Sequence, residues 1–393
     1  MRVEVFFAVL FWLFAGSLIY TWIIFPVLLA IIQKLSSVIL PEKESMADDR
    51  LPFLSIIVAA YDEEKDIAHR IQNLLEQNYP EDGYEILVAS DGSKDRTVEI
   101  AKAFEAKDPR VRVLDYKENR GKASVHNDTV QYAKGDILLF TDAGTWFEKD
   151  FLRQGVKWFS LPSYGCGSGN YSFKFRDDVG QSENLYWRME KQLRLWEFKT
   201  NLLPFASGGC FFLLKKLFLP IPPHSDIDNL LTLSTLKNGY FLFYAEEAKA
   251  YDSTIESSAS HYKKRVRTTL RSMGDMLSYL PLLVSAGKWR TLWVLFSHRL
   301  LRWGTGYFML LTVIFNGFLV VFDSRLHYNI FFGLQCLFYL FVLLGWRLEA
   351  TPGSKGFILK PMTICYSFFL ANYASMVAIA RLAQGKKIKV WTN

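Results

Sequence analysis

Residues 54–64 read LSIIVAAYDEE, a run of apolar and small residues that passes directly into an aromatic and three acids. A run this short and continuous, rich in Ile and Val, is the pattern of a strand buried on both faces of a sheet. Residues 86–89, 111–114 and 137–140 resemble it. Helical patterns lie between them at 63–77, 95–107 and 122–134. The segment therefore reads βαβαβαβ and predicts an α/β domain with a mostly parallel, doubly wound sheet. Ligands of open sheets sit beyond the carboxyl ends of the strands. There the sequence places Tyr61-Asp62-Glu63, Asp91-Gly92-Ser93 and Asp142-Ala143-Gly144.

The turn after the first strand has no G-x-G-x-x-G to admit a pyrophosphate, and the chain has no G-x-x-x-x-G-K-S/T. Dinucleotide-dependent oxidoreductases and P-loop ATPases are disfavoured. Strand-end carboxylates suit instead a nucleotide whose diphosphate is neutralised by a divalent cation. Each carboxylate also has a plainer reading. Asp142 and Asp91 are either ligands or turn residues, and Ser93 and Asp95 are helix caps. Lys122 opens a helix after Arg120-Gly121, as a phosphate contact or as a solvated lysine.

Working outward, the 393 residues are 50% hydrophobic, 16% aromatic and 22% charged, which describes a mixed soluble and membrane protein. Residues 5–33, 303–322, 328–346 and 361–380 carry no charge, and about 20 apolar residues suffice to cross a bilayer. The expected divisions are an N-terminal anchor and linker at 1–50, a water-facing domain at 51–275, interfacial amphipathic helices at 276–302 and three hydrophobic spans with a basic tail at 303–393. Residues 1–260 hold 29 Lys and Arg against 36 Asp and Glu, and residues 261–393 hold 17 against 3. Basicity confined to the membrane half points to anionic headgroups or a phosphate-bearing substrate and excludes a nucleic-acid partner. Four cysteines without C-x-x-C spacing suggest neither a zinc site nor a disulfide framework. Lys34, Lys43 and Arg50 orient the domain to the inside of the membrane, whereas the tail lysines argue the other way.

The blocks VAAYDEE, SDGSKDRT, NRGKASVHN and GDILLFTDAG, in that order, resemble the nucleotide half of membrane-anchored family 2 glycosyltransferases. The likeness continues through Tyr186-Trp187-Arg188-Met189-Glu190, Ser207-Gly208-Gly209-Cys210, Asp226-Ile227-Asp228 with Gly239-Tyr240, and the SHRLLRW block at 297–303. It implies a Rossmann-like GT-A fold and an inverting transfer from a nucleotide-diphosphate sugar. The acceptor is then a lipid or a growing polysaccharide, at a bacterial inner membrane with the domain cytosolic. By resemblance Asp91 contacts the nucleoside, and Tyr61, Glu63 and Lys122 belong to the donor site. Asp142 helps hold Mg²⁺ or Mn²⁺, and Asp228 is the general base. Trp187, Glu190, Arg265 and Arg267 fall to the acceptor. Gly144 stands where the family carries a second acid, and the basic block at 264–268 lacks the tryptophan of processive members. Two alternatives follow: single-sugar transfer to polyprenyl phosphate or another lipid, and an inactive nucleotide-sugar-binding partner of a synthase complex. The basic block reads equally as a helix lying on headgroups.

Overall fold

The computed structural model of the chain describes residues 2–36, 51–173, 180–252, 258–323, 325–349 and 359–386. Lys43, Arg50 and the last tail lysines lie outside them. The first half of the sheet comes from β1 (Leu54–Ala60), β2 (Tyr84–Asp91), β3 (Val111–Tyr116) and β4 (Ile137–Asp142). All seven residues of β1 are buried, because helices cover both faces of the sheet. The crossovers are α3 (Ile67–Leu75), α4 (Thr97–Glu105) and α5 (Lys122–Val130), following α1 (Arg2–Ile19) and α2 (Phe25–Leu35) of the anchor. β1 pairs in parallel with β2 and with β4, Ala60 opposite Ser90 and Ala59 opposite Asp142. This register brings the carboxyl ends of the three strands to one edge.

The second half is mixed. It contains β5 (Thr145–Phe147), β6 (Tyr164–Phe173), β7 (Cys210–Leu214) and β8 (Phe241–Asp252), and the strand order is β3-β2-β1-β4-β7-β6-β8-β5. β7 is antiparallel to β4 and to β6, β6 is parallel to β8 across two register shifts, and β5 closes antiparallel on β8. The parallel block thus passes into a partly antiparallel half. Between these strands run α6 (Phe151–Val156), α7 (Gly180–Lys199) and α8 (Ile227–Lys237).

After β8 the chain turns to helices: α9 (Ser258–Ser285), α10 (Trp289–Val294), α11 (Leu301–Phe322), α12 (Leu326–Glu349) and α13 (Lys360–Ala383). Four helical stretches are long and apolar enough to cross a membrane: Val3–Leu35, Trp289–Phe322, Leu326–Leu348 and Lys360–Ala383. Two of them contain a π-turn, Tyr20–Ile24 and Leu295–Leu300. The turns are tied together, since the Tyr20 hydroxyl lies 2.8 Å from Ser297 Oγ and accepts from the Trp293 indole at 3.1 Å. α9 joins the two halves of the molecule. Its Val266 and Leu270 pack on Ala374 and Ala378 of α13, while its Met276 packs with Leu233 of α8.

Candidate active site

Asp91 ends β2 and is fully buried, and its two oxygens accept the backbone N–H groups of Arg120 at 2.8 Å and Gly121 at 2.9 Å. Gly121 has φ of 90°, a conformation that side chains disfavour, and immediately precedes α5. Asp91 therefore fixes where α5 begins. Lys122, the first residue of α5, carries its ammonium onto the Asp142 carboxylate at the end of β4. Burial pushes the Asp142 carboxyl up, but Lys122 outweighs it and holds the group below the usual range. Alongside, burial and then Asp66 and Asp142 push the Glu63 carboxyl up to about 7. Tyr61 lies half-buried beyond β1.

The antiparallel entry of β7 sets the other side of the site. Thr141 stands opposite Cys210, so the turn Ser207-Gly208-Gly209 lies beside the end of β4. The Thr141 hydroxyl donates to the Gly209 carbonyl at 2.8 Å and accepts from the buried Arg70 guanidinium at 2.8 Å. Gly208 faces Asp228, in the first turn of α8. A Cβ at Gly208 would stand 3.0 Å from the Asp228 carboxylate, closer than side chains ordinarily approach. Burial, and after it Asp226, pushes the Asp228 carboxyl up to about 6. A carboxylate so poised takes a proton near neutral pH.

α9 supplies Arg271 of the basic run together with Ser272 and Asp275, which the sequence pattern did not single out. Asp275 accepts the Asp226 backbone N–H at 3.1 Å, Ser272 accepts from the Asn229 amide at 2.6 Å, and Arg271 pairs with Asp226 at 3.2 Å. Asp275 is buried, and burial pushes its carboxyl up to about 7, with Asp226 and Asp228 adding to the rise. These contacts clamp the start of α8, where Asp228 sits.

A cavity of about 890 Å³ begins at this edge and runs into the helices. Lys122, Asp142, Asp228, Glu190 and Arg265 line it together, whereas Tyr61, Glu63, Asp91 and Arg267 do not. Trp187 lies on α7 with its side chain outside the described residues. His126, one turn after Lys122, also faces the cavity, fully buried, and neither ring nitrogen has a hydrogen-bond partner among the described residues. Burial and Lys122 push its pKa down to about 3, so the imidazole is neutral.

At the far end Glu190 is buried among cations. It accepts from Arg302 at 2.6 Å and lies 3.4 Å from His298 Nε2, whose Nδ1 lies 2.5 Å from Glu197. Burial works against the charge of Glu190, but His298 and Arg302 prevail and hold its carboxyl well below the usual range. The Arg302 guanidinium lies 4.7 Å over Trp22, whose ring meets Phe368 of α13 edge-on at 5.0 Å. The cavity thus passes from strand ends to membrane-type helices within one continuous wall.

Among the described residues no three His, Cys, Asp or Glu groups converge as a metal cage. Cations of the Mg²⁺ class are commonly held by one or two carboxylates together with substrate phosphates. Asp142, its side chain 38% exposed at the cavity, fits that arrangement.

Comparisons with known proteins bear on the family and the fold. Residues 55–219 match the family model of glycosyl transferase family 2. Glycosyltransferase AglE of Haloferax volcanii is 31% identical over 125 residues, 32% of this chain and 41% of that protein. A Methanococcus voltae enzyme named as a dolichyl N-acetylglucosaminyl phosphate diacetamido-dideoxyglucuronosyltransferase is 31% identical over 106 residues, 27% of this chain and 33% of that one. The chain spans less than half the length of these curated relatives. Mannosyltransferase PcManGT of Pyrobaculum calidifontis, solved in complex with GDP-Man and Mn²⁺, aligns over 98% of this chain and 99% of its own, with TM-score 0.69 and 17% identity. The fold, sheet and membrane-type helices together, is therefore the GT-A architecture with apolar helices appended. Residues 55–219 are therefore a glycosyl transferase family 2 domain.

Proposed function

We propose that the chain transfers a sugar from a nucleotide-diphosphate donor to a lipid-linked or growing polysaccharide acceptor at a membrane, with inversion at the anomeric carbon. One observation carries this reading. A half-buried carboxylate with raised proton affinity, Asp228, lies in the same cavity as the strand-end pair Lys122 and Asp142, and the cavity continues to α13. Relatives and the structural neighbour that act on or bind nucleotide sugars support the donor class.

In this mechanism Asp228 takes the proton of the acceptor hydroxyl. The oxygen attacks the anomeric carbon as the bond to the diphosphate oxygen breaks, and the nucleoside diphosphate leaves with the electron pair. Gly208 leaves room for the acceptor beside the base. Lys122 offsets charge on the leaving diphosphate, and Asp91 keeps that lysine in place through the start of α5. Glu63 lies in electrostatic reach of Asp142 at the donor end. Asp142 would hold Mg²⁺ or Mn²⁺, which when bound neutralises the departing diphosphate. Glu190 positions Arg302 and His298 at the acceptor end, and Arg265 lines it.

The four apolar helices support placement in a membrane, and Lys34 after the first supports a sheet on the cytosolic face of an inner membrane. The test is to incubate the full chain in detergent with a panel of nucleotide sugars and membrane lipid extract, and to identify the labelled product. One added sugar marks the single-transfer form of the reading, and a ladder marks polymerisation. Absence of both product and donor hydrolysis across the panel would reduce the protein to a binding partner, the reading that Gly144 favours.

A further inference from the structure

His126 is a buried polar side chain to which the mechanism gives no part. It stands one turn after Lys122 on the same side of α5 and lines the cavity with Lys122 and Asp142. Its ring meets Phe140 of β4 edge-on at 5.0 Å, and Phe140 in turn stacks on Phe211 at 6.1 Å and on Phe218 at 6.3 Å. A fourth hydrocarbon ring would suit this aromatic floor. The chain carries an imidazole there instead, and neither of its nitrogens has a hydrogen-bond partner among the described residues. A buried polar atom left without a partner costs stability, whereas an apolar side chain of similar shape does not. A ligand that enters the cavity and supplies the partner removes that cost.

The ring is held in position before any ligand arrives. Asp91 fixes the start of α5 through Gly121, and Asn127, next to His126, exchanges hydrogen bonds of 2.8 and 2.9 Å with the backbone of Ile221. Burial and the neighbouring Lys122 keep the imidazole neutral. A neutral imidazole offers one N–H and one bare nitrogen. It adds no charge against a diphosphate, which Lys122 already meets, but it suits a hydroxyl group, which both donates and accepts. The transferred sugar carries such hydroxyls, and in the mechanism above it lies in this cavity between the groups that meet the diphosphate and the base.

We propose that His126 is a specificity-determining residue of the donor site, its imidazole hydrogen-bonded to one hydroxyl of the transferred sugar. The assignment rests on the transferase reading above and names a group that selects among donor sugars.

The experiment is calorimetric titration of the full chain in neutral maltoside micelles. The probes are UDP-, GDP- and dTDP-linked hexoses, the matching nucleoside diphosphates, and the monodeoxy forms of the nucleotide sugar that binds most tightly. His126→Phe keeps a ring against Phe140 and removes both nitrogens. It should weaken that nucleotide sugar by about tenfold, leave its nucleoside diphosphate within about twofold, and hold Tm at or above that of the unaltered protein. One monodeoxy donor should bind the unaltered chain about tenfold more weakly than the parent sugar, yet bind His126→Phe as well as the parent does, because the two changes remove the same contact. His126→Leu serves the same comparison if His126→Phe does not fold. Nucleotide sugar and nucleoside diphosphate weakened alike, sugar binding unchanged by the substitution, or no monodeoxy donor that shows this coupling overturns the proposal. If neither the nucleotide sugars nor the nucleoside diphosphates bind the unaltered chain, the transferase reading falls and the assignment with it.

Discussion

The carboxylate of Asp275 accepts the backbone N–H of Asp226 at 3.1 Å, so a residue of α9 completes the amino end of the helix that carries Asp228. The contact is both mechanical and electrostatic. Burial pushes Asp228 up to about 6 and Asp275 up to about 7, and the charge of Asp228 adds to the rise of Asp275. A base must be ionised, so activity should rise with pH through about 6. Asp275 is still largely neutral at that pH, so Asp275→Asn, which keeps an oxygen for the Asp226 N–H, should leave the acidic limb of the kcat/KM profile in place. A pH–rate series on both proteins checks this, and a limb that moves to lower pH would mean that Asp275 is charged beside the base.

Asp228→Asn should leave nucleotide-sugar binding nearly intact and reduce kcat by about a hundredfold or more, the scale of a lost general base. Single-turnover kinetics together with donor titration would show it. Turnover close to that of the unaltered protein removes Asp228 from the mechanism.

Gly208→Ala places a methyl group 3.0 Å from the Asp228 carboxylate, on the side that faces the cavity. The expected result is a large fall in kcat with a Tm within a few degrees of the unaltered protein, because the new methyl meets the base and not the core. A fully active Gly208→Ala enzyme would mean that the acceptor approaches Asp228 from another side.

Asp142→Asn removes the charge that Lys122 meets and the carboxylate offered to a cation. Weaker donor binding and weaker Mn²⁺ retention in the presence of nucleoside diphosphate should appear together, the second measurable by the paramagnetic signal of bound manganese. Full activity of the unaltered chain in excess chelator would count against any role for the cation.

Glu190→Ala leaves Arg302 and His298 buried beside the loss of a negative partner, a change that costs about 3–5 kcal/mol when a buried pair is broken. Thermal unfolding in detergent should show it as a marked drop in Tm. Glu190→Gln, which retains a hydrogen-bond acceptor, should lose less.

The parallel half of the sheet was legible in the sequence because strands covered on both faces must be apolar throughout, and β1 was placed to the residue. The strand ends carried the donor-side candidates for the same reason, since polar residues appear where burial stops. β6 and β8 were harder to read. Their two register shifts and exposed acids such as Glu246 and Glu247 break the alternation that marks a strand. The acceptor end was harder still. Asp275 sits in a basic helix where an isolated acid reads as a surface charge, and only the fold brings it to α8. His298, Arg299 and Arg302 interrupt an apolar stretch, so a charge-free window begins after them, at Trp303. Their side chains turn inward to the cavity, which keeps these three groups off the outside of the helix.

The strand-end pair and Asp228 come from separate stretches of chain. Lys122 and Asp142 lie within residues 55–219, as do Glu190 and Arg194, while Asp228, Asp275, Arg299 and all of α13 follow them. The portion that family comparison recognises therefore includes Lys122 and Asp142 and stops short of Asp228. Inheritance can act on the two portions at different rates. Replacement of the later portion would give a lineage a new acceptor while its donor stayed the same, provided that the incoming α9 still met the amino end of α8.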